Sequence, residues 1–155
     1  MIRKALEKDI PAINELLEQV LSVHANGRPD VFKANTKKYT DAELALLLQN
    51  ENTPIFVAVD SNERVHGYVF CVFEEVKSHA ILQDVKYLYI DDLCVRSTSR
   101  KQGIGKELYN FAVAFAKEYN CQQIRLNVWN LNKGAMQFYE KCGLKPLKTM
   151  LEYSL

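Results

Sequence analysis

Hydrophobic positions along the chain follow two different periods, and each period predicts a different kind of element. A spacing of three to four residues is typical of an amphipathic helix, whereas short apolar runs are typical of strands. The first helix is predicted from Asp9, a candidate N-cap, with Pro11 in its first turn. Its apolar face is formed by Ile10, Ile13, Leu17, Val20 and Leu21. A short second helix, DAELALLLQN, is predicted to be capped by Thr40 or Asp41.

Two more helices are predicted in the second half of the chain. The better patterned of the two follows a glycine-containing turn directly. Its apolar face is formed by Ile104, Leu108, Phe111, Ala112, Phe115 and Tyr119. The other is NLNKGAMQFYEKCG, with Asn132 as candidate N-cap and Gly143 as the residue that ends it.

The apolar runs between the helices predict six strands. In order they are IRKA, PIFVAVD, VHGYVFCVFEEV, VKYLYIDDLCV, QQIRLNVW and LKPLKTMLEYSL. The second and third strands are expected to form a hairpin, because only the turn SNER separates them. This order predicts a single α/β domain over residues 1–155, with a mixed, mostly antiparallel central sheet flanked by helices.

Composition narrows the class of protein further. The 155 residues are 48% hydrophobic and 25% charged with a net charge of +1, so a packed core is expected and a nucleic-acid partner is not. No apolar run approaches the ~20 residues that span a bilayer, and the N-terminus lacks the apolar segment of a signal peptide. The four cysteines have no metal-site spacing, so a cytoplasmic protein without a metal or membrane partner is expected.

The turn RKQGIG is the clearest candidate for chemistry. Two glycines one residue apart precede a helix, whose first-turn amides and dipole attract anions. Arg100, Lys101 and Lys106 add positive charge at the same end. The turn lacks the third glycine of a dinucleotide-binding motif, and no P-loop is present. Taken alone, these residues leave a plain turn and an anion site equally open.

The surroundings of this turn resemble a known family. RKQGIG follows a strand, opens a helix and fits the pattern [RQ]-x-x-G-x-[GA], and NVWNLNKGAMQFYEKCGLKP follows it. Together they resemble the GCN5-related N-acetyltransferase (GNAT) family, whose members bind acetyl-coenzyme A. The resemblance is specific from about Tyr89 to Leu144, and it implies the family fold and an acetyltransferase activity.

The resemblance also implies roles for individual residues. A pyrophosphate cradle would be formed by Arg100, Lys101, Gln102, Gly103, Ile104, Gly105 and Lys106. The backbone groups of Leu93, Cys94 and Val95 would pair with the pantetheine arm of the cofactor, as a neighbouring strand would. Asn132 would contact the cofactor, and Tyr139 would face its sulfur.

Acetyl transfer to an amine needs a proton acceptor and a proton donor, because a protonated amine is not a nucleophile. The resemblance makes Tyr139 the candidate donor, and a packed helix aromatic is the alternative. Asp91 and Asp92 are costly to bury in an apolar strand, so one of them is the candidate base, with Asp91 preferred. Strand alternation predicts that the two carboxylates face opposite sides of the sheet. The alternative is that both pair with structural Lys or Arg residues.

The resemblance implies that the acceptor site borders the irregular segment VHANGRPDVFKA. Its candidate substrate-binding residues are His24, Arg28, Asp30 and Phe32. A solvated loop with a local Arg28–Asp30 pair is the alternative. The acceptor, a small-molecule amine or a peptide or protein amine, stays open.

Three functions are therefore weighed. The first is direct transfer from acetyl-CoA to a primary amine in a ternary complex. The second is a non-catalytic acyl-CoA-binding or sensor module of the same fold, and the third is a general phosphate-ligand binder. The last strand and the sheet edges leave a homodimer open.

Overall fold

The computed structural model describes all of residues 1–155 and contains one five-stranded sheet in the order β1-β2-β3-β4-β5. The strands are β1 Ile2–Lys4, β2 Ile55–Val59, β3 Val65–Val76, β4 Val85–Val95 and β5 Gln123–Leu126. The first four are antiparallel to their neighbours, and only β5 pairs in parallel with β4. The predicted α/β class with a mixed, mostly antiparallel sheet is confirmed.

Four helices cover the two faces of the sheet. They are α1 Ile10–Gly27, α2 Asp41–Gln49, α3 Ile104–Glu118 and α4 Lys133–Lys141. The residues of α1 and α2 form one core with the sheet, and those of α3 and α4 form a second core on the opposite face. None of the four combines the length and apolarity needed to cross a bilayer.

Local capping chemistry sets several of the helix ends. Thr40 accepts a hydrogen bond from the Glu43 amide at the start of α2, and Asn132 accepts one from the Ala135 amide at the start of α4. Gly143 follows α4 in the left-handed region, with φ of 93°. Asp9 holds the N-cap position of α1 without capping it, because its carboxylate binds the Arg3 guanidinium and the Leu6 amide.

One predicted strand is too long, and another is wrong. The strand predicted to end at Trp129 ends at Leu126, and residues 144–155 form no strand at all. A strand needs a hydrogen-bonded neighbour, and no backbone amide after Leu144 donates to a backbone carbonyl within the chain. The C-terminal segment leaves its apolar side chains in solvent, with Met150 95% and Tyr153 88% exposed.

A β-bulge interrupts β4 at its two aspartates. Phe70 of β3 lies opposite Asp92 and Cys71 lies opposite Ile90, so Asp91 has no partner of its own. The extra residue reverses the alternation of side chains. Ile90 before it and Leu93 after it both pack towards α3.

The sheet is split beyond the bulge. The pairing of β4 with β5 ends at Ile90 and Leu126, whereas β4 continues to Val95 with β3 as its neighbour on the other side. The last five residues of β4 therefore keep one edge free. This free edge leads directly into the turn that precedes α3.

Candidate active site

The turn before α3 presents unpaired backbone donors. Gly103 adopts φ of 82°, a left-handed conformation that favours glycine, and its carbonyl accepts from the Glu107 amide. The amides of Ile104, Gly105 and Lys106 make no hydrogen bond within the protein. These donors lie at the positive end of the α3 dipole, which makes the turn suited to an anion.

The other predicted cradle residues surround these amides. Arg100, Lys101, Gln102 and Lys106 are all exposed at the N-terminal end of α3. A Cβ on Gly105 would meet Val95 and Phe138 at ordinary contact distances, 3.5 and 3.6 Å. Packing within the protein therefore does not require glycine at this position.

Side chains from distant elements bind residues 95–99, the segment that leads into this turn. Gln19 of α1 donates to the Val95 carbonyl at 3.1 Å and accepts from the Ser97 amide at 3.0 Å. His66 of β3 bridges the hydroxyl of Ser99 at 2.8 Å and the carboxylate of Asp60 at 2.9 Å. Sequence reasoning assigned no role to Gln19 or His66. The partners of Gln19 lie 76 and 78 positions away in the chain, and Ser99 lies 33 positions from His66.

Of the three residues predicted to pair with the pantetheine arm, only two have backbone groups that face the free edge of β4. The Arg96 amide donates to the His66 carbonyl, so Arg96 pairs with β3. Backbone groups alternate along an antiparallel strand, and Cys94 therefore also pairs with β3, opposite Tyr68. Leu93 and Val95 point their backbone groups away from β3. The expectation for Cys94 is corrected accordingly.

Asp92 is the more strongly perturbed of the two aspartates. It is half-buried and accepts a 2.7 Å hydrogen bond from the Tyr68 hydroxyl. Burial raises the pKa of Asp92, the charge of Asp91 raises it further, and the Tyr68 bond and Lys38 lower it in part. Its pKa therefore lies above the ordinary value of an aspartate.

Asp91 lies on the same side of the sheet as Asp92. It is exposed, and its carboxylate is 3.2 Å from the ammonium of Lys38, in the loop before α2. The prediction that the two carboxylates face opposite sides is wrong, because the bulge breaks the alternation on which it rested. The preference for Asp91 as the base stays a prediction, and in the structure its carboxylate is exposed and paired with the ammonium of Lys38.

Tyr139 combines a buried ring with a reachable hydroxyl. Its side chain packs in the core beneath α4 and is 9% exposed. The hydroxyl makes no hydrogen bond, yet it is not among the fully buried atoms that lack a partner, so it reaches accessible space. Burial raises the pKa of Tyr139, and the negative charge of Asp92 raises it further. The phenol thus stays protonated and is subject to the charge of Asp92.

Cys94 does not fit a covalent role. Its side chain is buried in the α1–α2 core, and burial together with Asp92 raises the pKa of the thiol to about 12. A nucleophilic cysteine needs a lowered pKa. Cys94 is therefore a packing residue whose sulfur lies 3.3 Å from the Gln19 amide nitrogen.

An aromatic wall stands on the α1 side of the aspartates. His24 stacks on Phe32 with ring centroids 4.9 Å apart, and Phe32 meets Trp129 edge-on at 4.9 Å. Burial lowers the pKa of His24 and Lys38 lowers it further, against the opposing effect of Asp92. Sequence reasoning found His24 and Phe32 but missed Trp129, which it placed in a strand.

Arg28 and Asp30 are not part of this wall. Their side chains form a two-bond ion pair at 2.9 and 2.8 Å, and Arg28 also binds Glu152 of the C-terminal segment at 2.7 Å. The structure contains the local pair that was the alternative, and the substrate-binding role of Arg28 and Asp30 stays a prediction. The side-chain oxygen of Asn132 accepts a hydrogen bond from the Ala135 amide and so caps α4.

Comparisons with known proteins agree with this geometry. The model of the acetyltransferase (GNAT) family matches residues 17–144, so the chain belongs to that family. N-alpha-acetyltransferase 30 of Saccharomyces cerevisiae is 36% identical over 133 residues, covering 79% of this chain and 74% of the yeast protein. The chloroplastic GCN5-related N-acetyltransferase 6 of Arabidopsis thaliana is 30% identical over 109 residues, 70% of this chain but only 33% of the plant protein.

A solved structure extends the likeness to the full chain. A mutant of the BH1408 protein from Bacillus halodurans superposes with a TM-score of 0.96 at 28% identity, covering 100% of this chain and 99% of that one. The predicted GNAT membership is confirmed by the family match and by this fold.

The hydrogen bond between Tyr68 and Asp92 gives a direct test of the site's electrostatics. In Tyr68→Phe we expect the pKa of Asp92 to rise further, because the hydroxyl stabilises the ionised carboxylate. A carboxyl-carbon NMR titration measures this. Tyr39→Phe is the matched control, since Tyr39 packs against the same Phe70 without using its hydroxyl. An unchanged Asp92 pKa in Tyr68→Phe would contradict the assigned role.

Proposed function

We propose that this protein transfers the acetyl group of acetyl-CoA directly to a primary amine in a ternary complex. The observation that carries the proposal is the split between β4 and β5. It joins a turn suited to anions at one end to the half-buried carboxylate of Asp92 at the other, and the charge of that carboxylate acts on the protonated phenol of Tyr139. A ligand with a pyrophosphate, an amide-bearing arm and a thioester matches that sequence of groups.

The residues present fit acetyl-CoA at two places. The unpaired amides of Ile104, Gly105 and Lys106 suit its pyrophosphate, with Arg100 and Lys101 beside them. The outward backbone groups of Leu93 and Val95 suit the amides of its arm, although the Val95 carbonyl already accepts from Gln19. The bound donor supplies an activated acetyl group as a thioester.

Asp92 is the proposed base. An amine acceptor arrives mostly protonated at neutral pH, so a group near it must take a proton before the nitrogen can attack. Asp92 has a raised pKa and lies beside the free edge where the thioester is expected. A raised pKa makes its carboxylate a better proton acceptor than an ordinary aspartate.

Tyr139 is the proposed acid. Its hydroxyl reaches accessible space, and its raised pKa keeps it protonated through the neutral range. It can therefore donate a proton to the sulfur as the carbon–sulfur bond breaks. We therefore assign proton acceptance to the carboxylate of Asp92 and proton donation to the phenol of Tyr139.

The charged and aromatic groups around the expected acceptor position favour a cationic amine. Asp91 and Asp92 supply negative charge, and the wall of His24, Phe32 and Trp129 offers faces for an ammonium or an aliphatic stem. A small-molecule amine and a peptide or protein amine both have these features. The yeast relative named for N-alpha acetylation supports including a peptide acceptor. A cytoplasmic location stays part of the proposal.

Substitution of the two proposed proton-transfer groups tests the mechanism. We expect Asp92→Asn and Tyr139→Phe each to lower kcat by roughly 10²–10⁴-fold, because each removes one general acid or base. The measurement is thiol release from acetyl-CoA across a panel of amines. Asp91→Asn is the matched control and should cost less. If Asp91→Asn is the more damaging change, Asp91 is the base and Asp92 is not.

Coenzyme A binding separates this proposal from its two rivals. CoA should raise the melting temperature more than ATP does, because only CoA has the pantetheine arm. Arg100→Glu should weaken CoA binding roughly tenfold, since it removes a charged donor at the cradle. Lys77→Glu, an equal charge change at an exposed site beyond β3, should not.

The outcomes divide cleanly between the alternatives. Equal stabilisation by ATP and CoA would favour the general phosphate binder. Tight CoA binding with no thiol release on any amine would favour the sensor module.

The C-terminal segment supports a homodimer as part of the proposal. Residues 145–155 lack backbone partners and expose Leu147, Met150 and Leu151, a combination expected of a strand that pairs with another chain. We expect the full chain to be a dimer by light scattering and a chain ending at Leu144 to be a monomer. A monomeric full-length protein at micromolar concentration would rule this out.

A further inference from the structure

Lys38 brings a primary amine to the acceptor side of β4. It lies in the loop between α1 and α2, and its Nζ atom is 3.2 Å from Oδ2 of Asp91. The same nitrogen is 5.4 Å from the centre of the Tyr39 ring. The side chain is 44% exposed, so it is reachable from solvent and not locked in the core.

The charged groups around this amine are those of the proposed acceptor site. Asp91, Asp92 and Tyr39 raise the pKa of Lys38, against the lowering effect of burial, and the net direction is upward. The ammonium also acts on His24 of α1 and Tyr89 of β4. Lys38 therefore lies where an incoming cationic amine would meet the same carboxylates and the same aromatic wall.

No other lysine has this environment. The neighbouring Lys37 instead pairs with Asp41 at 2.8 Å, in the first turn of α2. Lys106, near the cradle, lies against the ring of Tyr109. Lys38 is thus the lysine whose amine contacts the bulge of β4.

We propose that Lys38 is an internal acceptor, acetylated on Nζ by the active site of its own chain. This inference rests on the proposed acetyl transfer and adds a modification site to it. Asp92 takes one proton from the ammonium, and the neutral nitrogen then attacks the thioester carbonyl carbon. The carbon–nitrogen bond forms and the carbon–sulfur bond breaks. Tyr139 protonates the departing sulfur, and the second nitrogen proton is released to water.

The expected reaction is slow compared with transfer to a good external amine. The raised pKa keeps Lys38 protonated, and its ion pair with Asp91 must open before attack. Proximity offsets part of this cost, because attack within one molecule needs no binding step. Acetylation would remove the positive charge beside Asp91 and place an amide at the entry of the acceptor site.

The test incubates the purified full chain with acetyl-CoA and locates acetyl groups by peptide mass spectrometry over time. We expect acetylation of Lys38 to exceed that of Lys37 at least tenfold. The rate constant should not depend on protein concentration, because the reaction is intramolecular. Lys38→Arg should abolish the signal, whereas the matched control Lys37→Arg should leave it unchanged. Asp92→Asn should reduce it at least tenfold, and Tyr139→Phe repeats that test if Asp92→Asn does not fold.

Three results would overturn the proposal. Equal labelling of Lys37 and Lys38, or labelling of Lys38 that persists in both Asp92→Asn and Tyr139→Phe, would show unassisted chemical acetylation. No labelling of Lys38 would also reject it. Thiol release with external amines is measured on the same sample. It distinguishes a failure of the Lys38 proposal from a failure of the proposed acetyltransferase function. Release without Lys38 labelling rejects only the internal acceptor, and the absence of both rejects the transferase itself.

Discussion

The single extra residue in β4 determines how the rest of the site is arranged. Because Asp91 has no partner on β3, the strand changes face at this point, and both aspartates come to the α1–α2 side. The same strand then leaves β5, so that a free edge opens directly beside the two carboxylates. Without the bulge, Asp92 would alternate to the α3 side, away from Tyr68 and the aromatic wall.

The electrostatics of the site depend on unequal burial of two identical side chains. Asp92 is held by Tyr68 in a half-buried position, whereas Asp91 lies in solvent with the ammonium of Lys38 as its partner. Desolvation disfavours the charged form, so one carboxylate has a raised pKa and the other keeps a counter-ion. Burial raises the pKa of Tyr139 in α4, and the charge of Asp92 raises it further. The raised pKa of Asp92 and that of Tyr139 are thus linked through the charge of Asp92.

Local patterns in the sequence were enough to predict the fold class, the glycine turn and the caps at Thr40 and Asn132. These features depend on residues close together in the chain. The closing strand failed because an alternating apolar segment predicts strand character without saying whether a neighbour exists within the chain. The prediction that Asp91 and Asp92 face opposite sides of the sheet failed because a bulge is a property of register between two strands. No periodicity in β4 alone reveals it.

Contacts between distant elements were the least predictable part of the site. The hydrogen bonds that support the cradle show why. Ser99, His66 and Asp60 form a hydrogen-bonded chain with the residue types of a hydrolytic triad. Ser99 is only 5% exposed, so its hydroxyl cannot reach an external carbonyl. The chain instead links the short turn before Arg100 to the β2–β3 hairpin, while Gln19 links the same turn to α1. A turn held from two sides keeps its free amides in place before a ligand arrives, which is what electrostatic recognition of an anion requires.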